Sequence, residues 1–315
     1  MLCGGAPSTV AQTDAGTPVP AGVQQIRHGT AHDALYDVAF EGERGIAVGA
    51  FGTVLVTADG GATWLAQPFP MKRLALMSVA MRGGKCIAVG QTGVVYAAAD
   101  CRNWKAAPPI TKSRLLSVGV NRQGVAYAVG AFGTILKSTD WGNSWTAQTV
   151  DWSSITQDGA EPHLYDIHVA DDGTATVVGE FELVMRTTDG KQWKALHKGE
   201  RSLFGLAVVE GGKVYASGQS GALLTSADGG ATWESRKTGT GAILTGVYAT
   251  AQGDVLASGI NAVVVSRNGG STWAAVDSKL VRNAWYQALG ASKSAGGKQR
   301  LVAVGAGGSI LEVDL

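Results

Sequence analysis

Six short stretches of this chain set a lone acid or amide just ahead of a tryptophan. Thr57-Ala58-Asp59-Gly60-Gly61-Ala62-Thr63-Trp64 is the fullest version, and Ser138–Trp145 and Ser226–Trp233 are near copies. Ser266–Trp273 puts Asn268 in the acid's place, Thr187–Trp193 is one residue shorter, and Ala99–Trp104 is the most altered. Asp beside Gly suggests calcium, but a calcium loop needs several spaced carboxylates and a distant Glu. Each of these turns offers one carboxylate, so no metal is expected. The chemistry they do support is local: the carboxylate accepts nearby backbone N–H groups, Gly supplies positive φ, and Trp anchors the turn. His28, His32, His163, His168 and His197 are scattered, without the His-Glu-x-x-His spacing or paired Cys that would hold zinc. The Gly-x-x-Gly turns lead into strands rather than helices, which excludes a phosphate-binding loop. No catalytic constellation and no cofactor are expected.

The elements behind these turns repeat. A hairpin glycine precedes each one, at Gly49, Gly90, Gly130, Gly179, Gly218 and Gly259, and a seventh stands at Gly305. A period of about 40 residues with four short strands per unit marks propeller blades. The fold expected is all-β, a seven-bladed β-propeller of four-stranded antiparallel blades. Inner strands begin at Leu35, Leu76, Leu115, Leu164, Leu203, Leu244 and Tyr286. The seventh repeat ends at Ile310–Leu315, one strand short. Val23–Gly29 supplies an N-terminal outer strand that closes the ring and covers the exposed edge. The propeller then spans residues 23–315, and residues 1–22, rich in Ala, Gly, Pro, Ser and Thr, form a disordered leader or signal remnant.

The 45 glycines in 315 residues follow from the many tight turns, and 26 basic against 25 acidic residues give no electrostatic reason to expect nucleic acid. No apolar run reaches the 18 or so residues of a membrane span. Met1-Leu2-Cys3 with Ser8-Thr9-Val10-Ala11 resembles the tail of a secretory signal. A periplasmic or otherwise exported location is expected. Cys86 and Cys101 fall at the same end of blade 2, either as a bridge or as two separate thiols.

Ala47-Val48-Gly49-Ala50-Phe51-Gly52-Thr53-Val54-Leu55 and Ala128-Val129-Gly130-Ala131-Phe132-Gly133-Thr134-Ile135-Leu136, each followed by its Asp-Trp turn, carry a resemblance. The unit resembles the photosystem II stability/assembly factor family within the wider BNR/Asp-box repeat group. The resemblance covers nearly the whole folded part and implies a seven-bladed propeller without catalysis. It implies a scaffold or accessory subunit in assembly of a membrane complex. Asp-boxes also occur in sialidases, so a sialidase-like glycoside hydrolase or a glycan-binding propeller is the alternative. That chemistry needs a Tyr nucleophile and an arginine cluster. Ile26-Arg27-His28 lacks the Arg-Ile-Pro pattern, and Tyr36, Tyr165 and Tyr286 lie in inner strands.

Antiparallel alternation places the second-to-third-strand turns and the blade-to-blade connections on one face, opposite the Asp turns. The turns there project Phe51, Phe132 and Phe181, and the connections bring Arg73, Arg114, Arg201, Arg282 and, on the longest connection, Trp152. Aromatic residues and Arg are the types that make binding hot spots. The expected partner is a polypeptide with an acidic or C-terminal segment, the soluble part of a membrane protein or transporter, with no nucleic acid and no membrane span of the chain's own.

Overall fold

The computed structural model describes residues 22–293 and 299–314. Seven four-stranded antiparallel sheets stand around an axis, each ordered from an inner strand to an outer one. Blade 1 runs Leu35–Glu41, Arg44–Gly49, Val54–Thr57 and Leu65–Ala66. Blade 7 takes Tyr286–Lys293, Gln299–Gly305 and Ile310–Val313 from the C-terminal end and Val23–Arg27 as its outer strand. Val23 pairs with Val313 and Gln25 with Leu311, which closes the ring as expected. The leader or signal remnant expected over residues 1–22 lies, apart from Gly22, outside the described residues.

Second strands such as Arg44–Gly49 are buried on both faces beyond their first residue, because each blade is covered by a neighbour on either side. Ile46 and Val48 of blade 1 meet Val79, Cys86 and Ala88 of blade 2 in one such layer. In blades 1, 2, 3 and 6 the outer strands are only two residues long, which limits the exposed edge.

The Asp turns fold as their residue types dictate. Asp59 accepts Thr63 N–H at 2.9 Å and the Thr63 hydroxyl at 2.6 Å, while Trp64 Nε1 donates to the Gly61 carbonyl at 3.0 Å. Those bonds, the Thr63 hydroxyl first, hold the Asp59 carboxyl down at about 2. The shortened turns use two consecutive N–H groups instead: Asp189 accepts from Lys191 and Gln192, and Asp100 from Arg102 and Asn103.

Cys86 and Cys101 form a disulfide, with Cα atoms 4.9 Å apart. Cys101 occupies the positive-φ position that Gly60 holds in blade 1, so the turn curls over the third strand to the start of the second. The bridge closes a loop with a sequence separation of 15. A loop of that size is worth about 3 kcal/mol in lost unfolded-chain entropy. Urea titration of Cys86→Ser/Cys101→Ser should show that loss, and reductant should shift the parent protein but not the variant. Equal stability of the two proteins would mean that the bridge contributes nothing.

Candidate partner-binding face

The turns after the second strands share one construction. In blade 1, Gly49 is extended at φ −168 and Ala50 N–H donates to the Ala34 carbonyl at 2.9 Å. Thr53 N–H closes back on the Ala50 carbonyl at 2.9 Å, and Gly52 N–H reaches Leu74 of the following connection at 2.9 Å. The residue between them is pushed out at positive φ: Phe51 at 54°, Thr92 at 55°, Phe132 at 54° and Ser220 at 56°. The turn's hydrogen bonds impose this left-handed conformation whatever the side chain. In blades 1 and 3 the residue they hold out is an aromatic, where a polar one would be less costly to expose. Phe51 is 63% exposed and Phe132 66%.

The apolar surface is concentrated here. Of eight exposed large hydrophobic residues among those described, six lie on this face: Phe51, Ile110, Phe132, Phe181, Ile243 and Ile260. The three isoleucines were not singled out from sequence, since an isolated apolar residue in a connection carries no signal until its neighbours are known. Exposed apolar residues gathered on one side of a surface, rather than scattered singly, are the pattern that interaction sites have.

The basic residues divide. Arg73 and Arg114 are exposed and make no ion pair among the described residues. Arg282 sits on the short helix Lys279–Arg282, exposed and 3.3 Å from Asp277. Arg201 is committed elsewhere, because its Nε bonds to Glu182, which also meets His197 Nε2 at 3.4 Å. Glu182 is buried at a turn position where blades 1, 2, 3 and 5 carry glycine, and it keeps positive φ. Arg201 is therefore the counter-charge of a buried carboxylate rather than a free contact.

Trp152 does not stand on the surface of this face as its place on the longest connection suggests. It is buried against Ile155 and Leu183 and packs over Gly133, where a Cβ would lie 2.6 Å from its Nε1. The long connection needs an apolar anchor of its own, and Trp152, in a 3-10 turn capped by Asp151, provides it. It braces the Phe132 turn instead of meeting solvent.

From that turn a row of rings runs toward the axis. Phe132 meets His163 edge-on at 4.9 Å, His163 lies 6.3 Å from Tyr165, and Tyr165 meets Phe204 at 4.8 Å. Phe132 N–H donates to His163 Nδ1 at 3.1 Å, and His163 N–H donates to Glu180 at 2.7 Å. Every inner strand carries a β-bulge two residues into the strand, so that Leu35 and Asp37, or Leu164 and Asp166, oppose adjacent partners. The extra residue is left unpaired and re-aimed. Tyr36, Met77, Leu116, Tyr165, Phe204, Thr245 and Gln287 are those residues, and together they line the top of a 170 Å³ cavity on the axis. Below them Asp37, Ser78, Ser117 and Asp166 line the same space.

Tyr165 and Tyr286 are set against acting as nucleophiles. Burial, with Glu180 adding to it, pushes Tyr165 up to about 12, and burial does the same to Tyr286, whose hydroxyl donates to the Leu280 carbonyl at 2.9 Å. Tyr36 is stacked on Trp285 at 5.9 Å. A nucleophilic phenol needs the opposite shift, and among the described residues no arginine lines the cavity.

A family model described as the DUF6242 β-propeller domain matches residues 169–309. No curated protein matches the chain. Among solved structures, YCF48 bound to D1 peptide aligns over 98% of this chain and 100% of its own, at 19% identity and TM-score 0.70. YCF48 from Cyanidioschyzon merolae aligns over 93% and 98%, at 19% identity and TM-score 0.72. U3-55K aligns over 94% and 100%, at 10% identity and TM-score 0.72. The chain is a seven-bladed β-propeller. Over nearly its whole length it is similar in fold to YCF48, in line with the resemblance carried by its repeats.

Proposed function

We propose that the chain is a non-catalytic, protein-binding propeller of the cell envelope. It docks an acidic or C-terminal segment of a polypeptide, the soluble part of a membrane protein or transporter, and serves that complex as an assembly scaffold or accessory subunit. The observation that carries this reading is the exposed Phe51 and Phe132, on a face that, among the described residues, gathers six of the eight exposed large hydrophobics together with Arg73 and Arg114, which make no ion pair there. Aromatic tips beside unpaired guanidinium groups suit an extended segment carrying carboxylates. The solved YCF48 complex with a D1 peptide supports a polypeptide ligand on a propeller of this shape. The Cys86–Cys101 disulfide supports an oxidising compartment.

Affinity capture from an envelope extract tests this. Arg73→Glu/Arg114→Glu and Phe132→Ala should each weaken capture by about 2 kcal/mol, roughly 30-fold, with circular dichroism and thermal unfolding unchanged. Arg201 is left intact because it balances Glu182. If both variants retain the partner at parental level, the interface is not on this face.

A further inference from the structure

The axial cavity has the lining of a cation site. Asp37 and Asp166 face it from blades 1 and 4, on different sides of the axis. Asp37 accepts the Ser78 hydroxyl at 2.6 Å, Val79 N–H at 2.9 Å and Val38 N–H at 2.8 Å. Asp166 accepts the Ser117 hydroxyl, Ile167 N–H and Leu206 N–H, each at 2.8 Å. All six donors are neutral, and among the described residues no Lys, Arg or His lines the cavity. One oxygen of each carboxylate, Asp37 Oδ1 and Asp166 Oδ2, accepts a single bond and keeps a lone pair. The cations at the other end of the inner strands are already engaged, since Arg82 and Arg122 both lie 3.2 Å from Asp171.

Above the carboxylates the bulges gather rings. Tyr36, Tyr165 and Phe204 are half-buried at the starts of their strands, on the same face as Phe132. Ring faces attract ammonium and guanidinium groups, most strongly where water is thinned out. A cavity of 170 Å³ exceeds the roughly 150 Å³ that holds a benzene molecule, so the tip of a long side chain fits.

We propose that this pit, with its aromatic collar over Asp37 and Asp166, binds an alkylguanidinium or alkylammonium group, supplied by an arginine or lysine side chain of the polypeptide partner. The source of the cation rests on the partner-binding reading of the face, whereas the pit itself does not. Recognition then has two parts of opposite sign, an acidic segment along the Arg73 and Arg114 rim and one basic side chain on the axis.

Titrating the full chain with n-butylguanidinium chloride at pH 8 and constant ionic strength, followed by calorimetry, separates the two. Saturable one-to-one binding is expected, with butylammonium also binding and 1-butanol and butyrate at least tenfold weaker. Asp37→Asn/Asp166→Asn should lower affinity at least tenfold. Tyr165→Leu/Phe204→Leu gives an independent reading if the first variant fails to fold, and should weaken binding at least threefold. Arg73→Glu/Arg114→Glu should leave the probe's affinity unlowered, so loss of the partner in that variant does not bear on the pit. Absence of saturable binding, equal binding of 1-butanol, or affinity untouched in the folded variants would overturn the proposal.

Discussion

Gly130→Val is expected to cost about 4 kcal/mol, above the usual 1–3 kcal/mol of an overpacked site, because the obstacle is backbone. A Cβ at Gly130 would lie 2.9 Å from Leu115 Cα and closer still to the Arg114 carbonyl oxygen. That carbonyl cannot retreat, since it accepts Ala131 N–H at 2.9 Å and starts the inner strand Leu115–Val120. The same obstruction, from the residue just ahead of the inner strand, recurs at Gly49, Gly90, Gly179, Gly218, Gly259 and Gly305. Urea unfolding followed by circular dichroism measures the loss. Gly241→Val is the control, because nothing lies within 4 Å of a Cβ there. It should stay within about 0.5 kcal/mol of the parent. If the two variants unfold alike, close approach is not what the repeated glycine serves. Gly130→Val should also weaken partner capture, as the turn it starts carries Phe132.

That glycine shows what was legible in the sequence and what was not. Its recurrence located all seven blades, and the inner strands Leu115–Val120 and Leu164–Val169 lie where the repeat placed them. The missing outer strand was legible for the same reason, as a repeat one strand short points to its complement. The physical cause was not legible. The hairpin glycine is extended, and it is excluded from bearing a side chain by a carbonyl some fifteen residues earlier, which periodicity cannot reveal. The bulges were hidden in the same way. Tyr36 and Tyr165 look like ordinary inner-strand residues until the register of the second strand shows them unpaired. Trp152 and Arg201 were placed on the correct connections, but their partners, Gly133 and Glu182, are tertiary neighbours. Exposure of Phe51 and Phe132 was readable because each stands alone at the tip of a four-residue turn, where little of the fold can reach it.

The second large effect is on pH dependence. Burial pushes Asp37 up to about 6, against the bonds from Ser78, Val79 and Val38, and pushes Asp166 up to about 7, where Asp37 adds to it. Both folded values lie above the ordinary aspartate value of 3.8. Between about pH 4 and 7 the folded chain therefore holds more protons than the unfolded one, and stability falls as pH rises through that window. At 1.36 kcal/mol per unit the unscreened linkage is about 7 kcal/mol for the pair. The cavity opens to solvent, which reduces this, and about 4 kcal/mol is expected. Other groups act in or near the window. Asp59, held at about 2, contributes stability that is lost only below pH 4. His168, lowered by burial, favours the fold increasingly as pH rises toward its ordinary value. Both act equally in the parent and in Asp37→Asn/Asp166→Asn, whose amides keep an oxygen for the Val79 and Leu206 N–H groups. The quantity to measure is thus the parent stability minus the variant stability, from urea unfolding at pH 4.5, 6 and 7.5. It should fall by about 4 kcal/mol across the series. A difference that stays flat would mean that the six neutral donors hold both carboxylates ionised throughout, and that neither Asp carries a proton in the folded chain above pH 4.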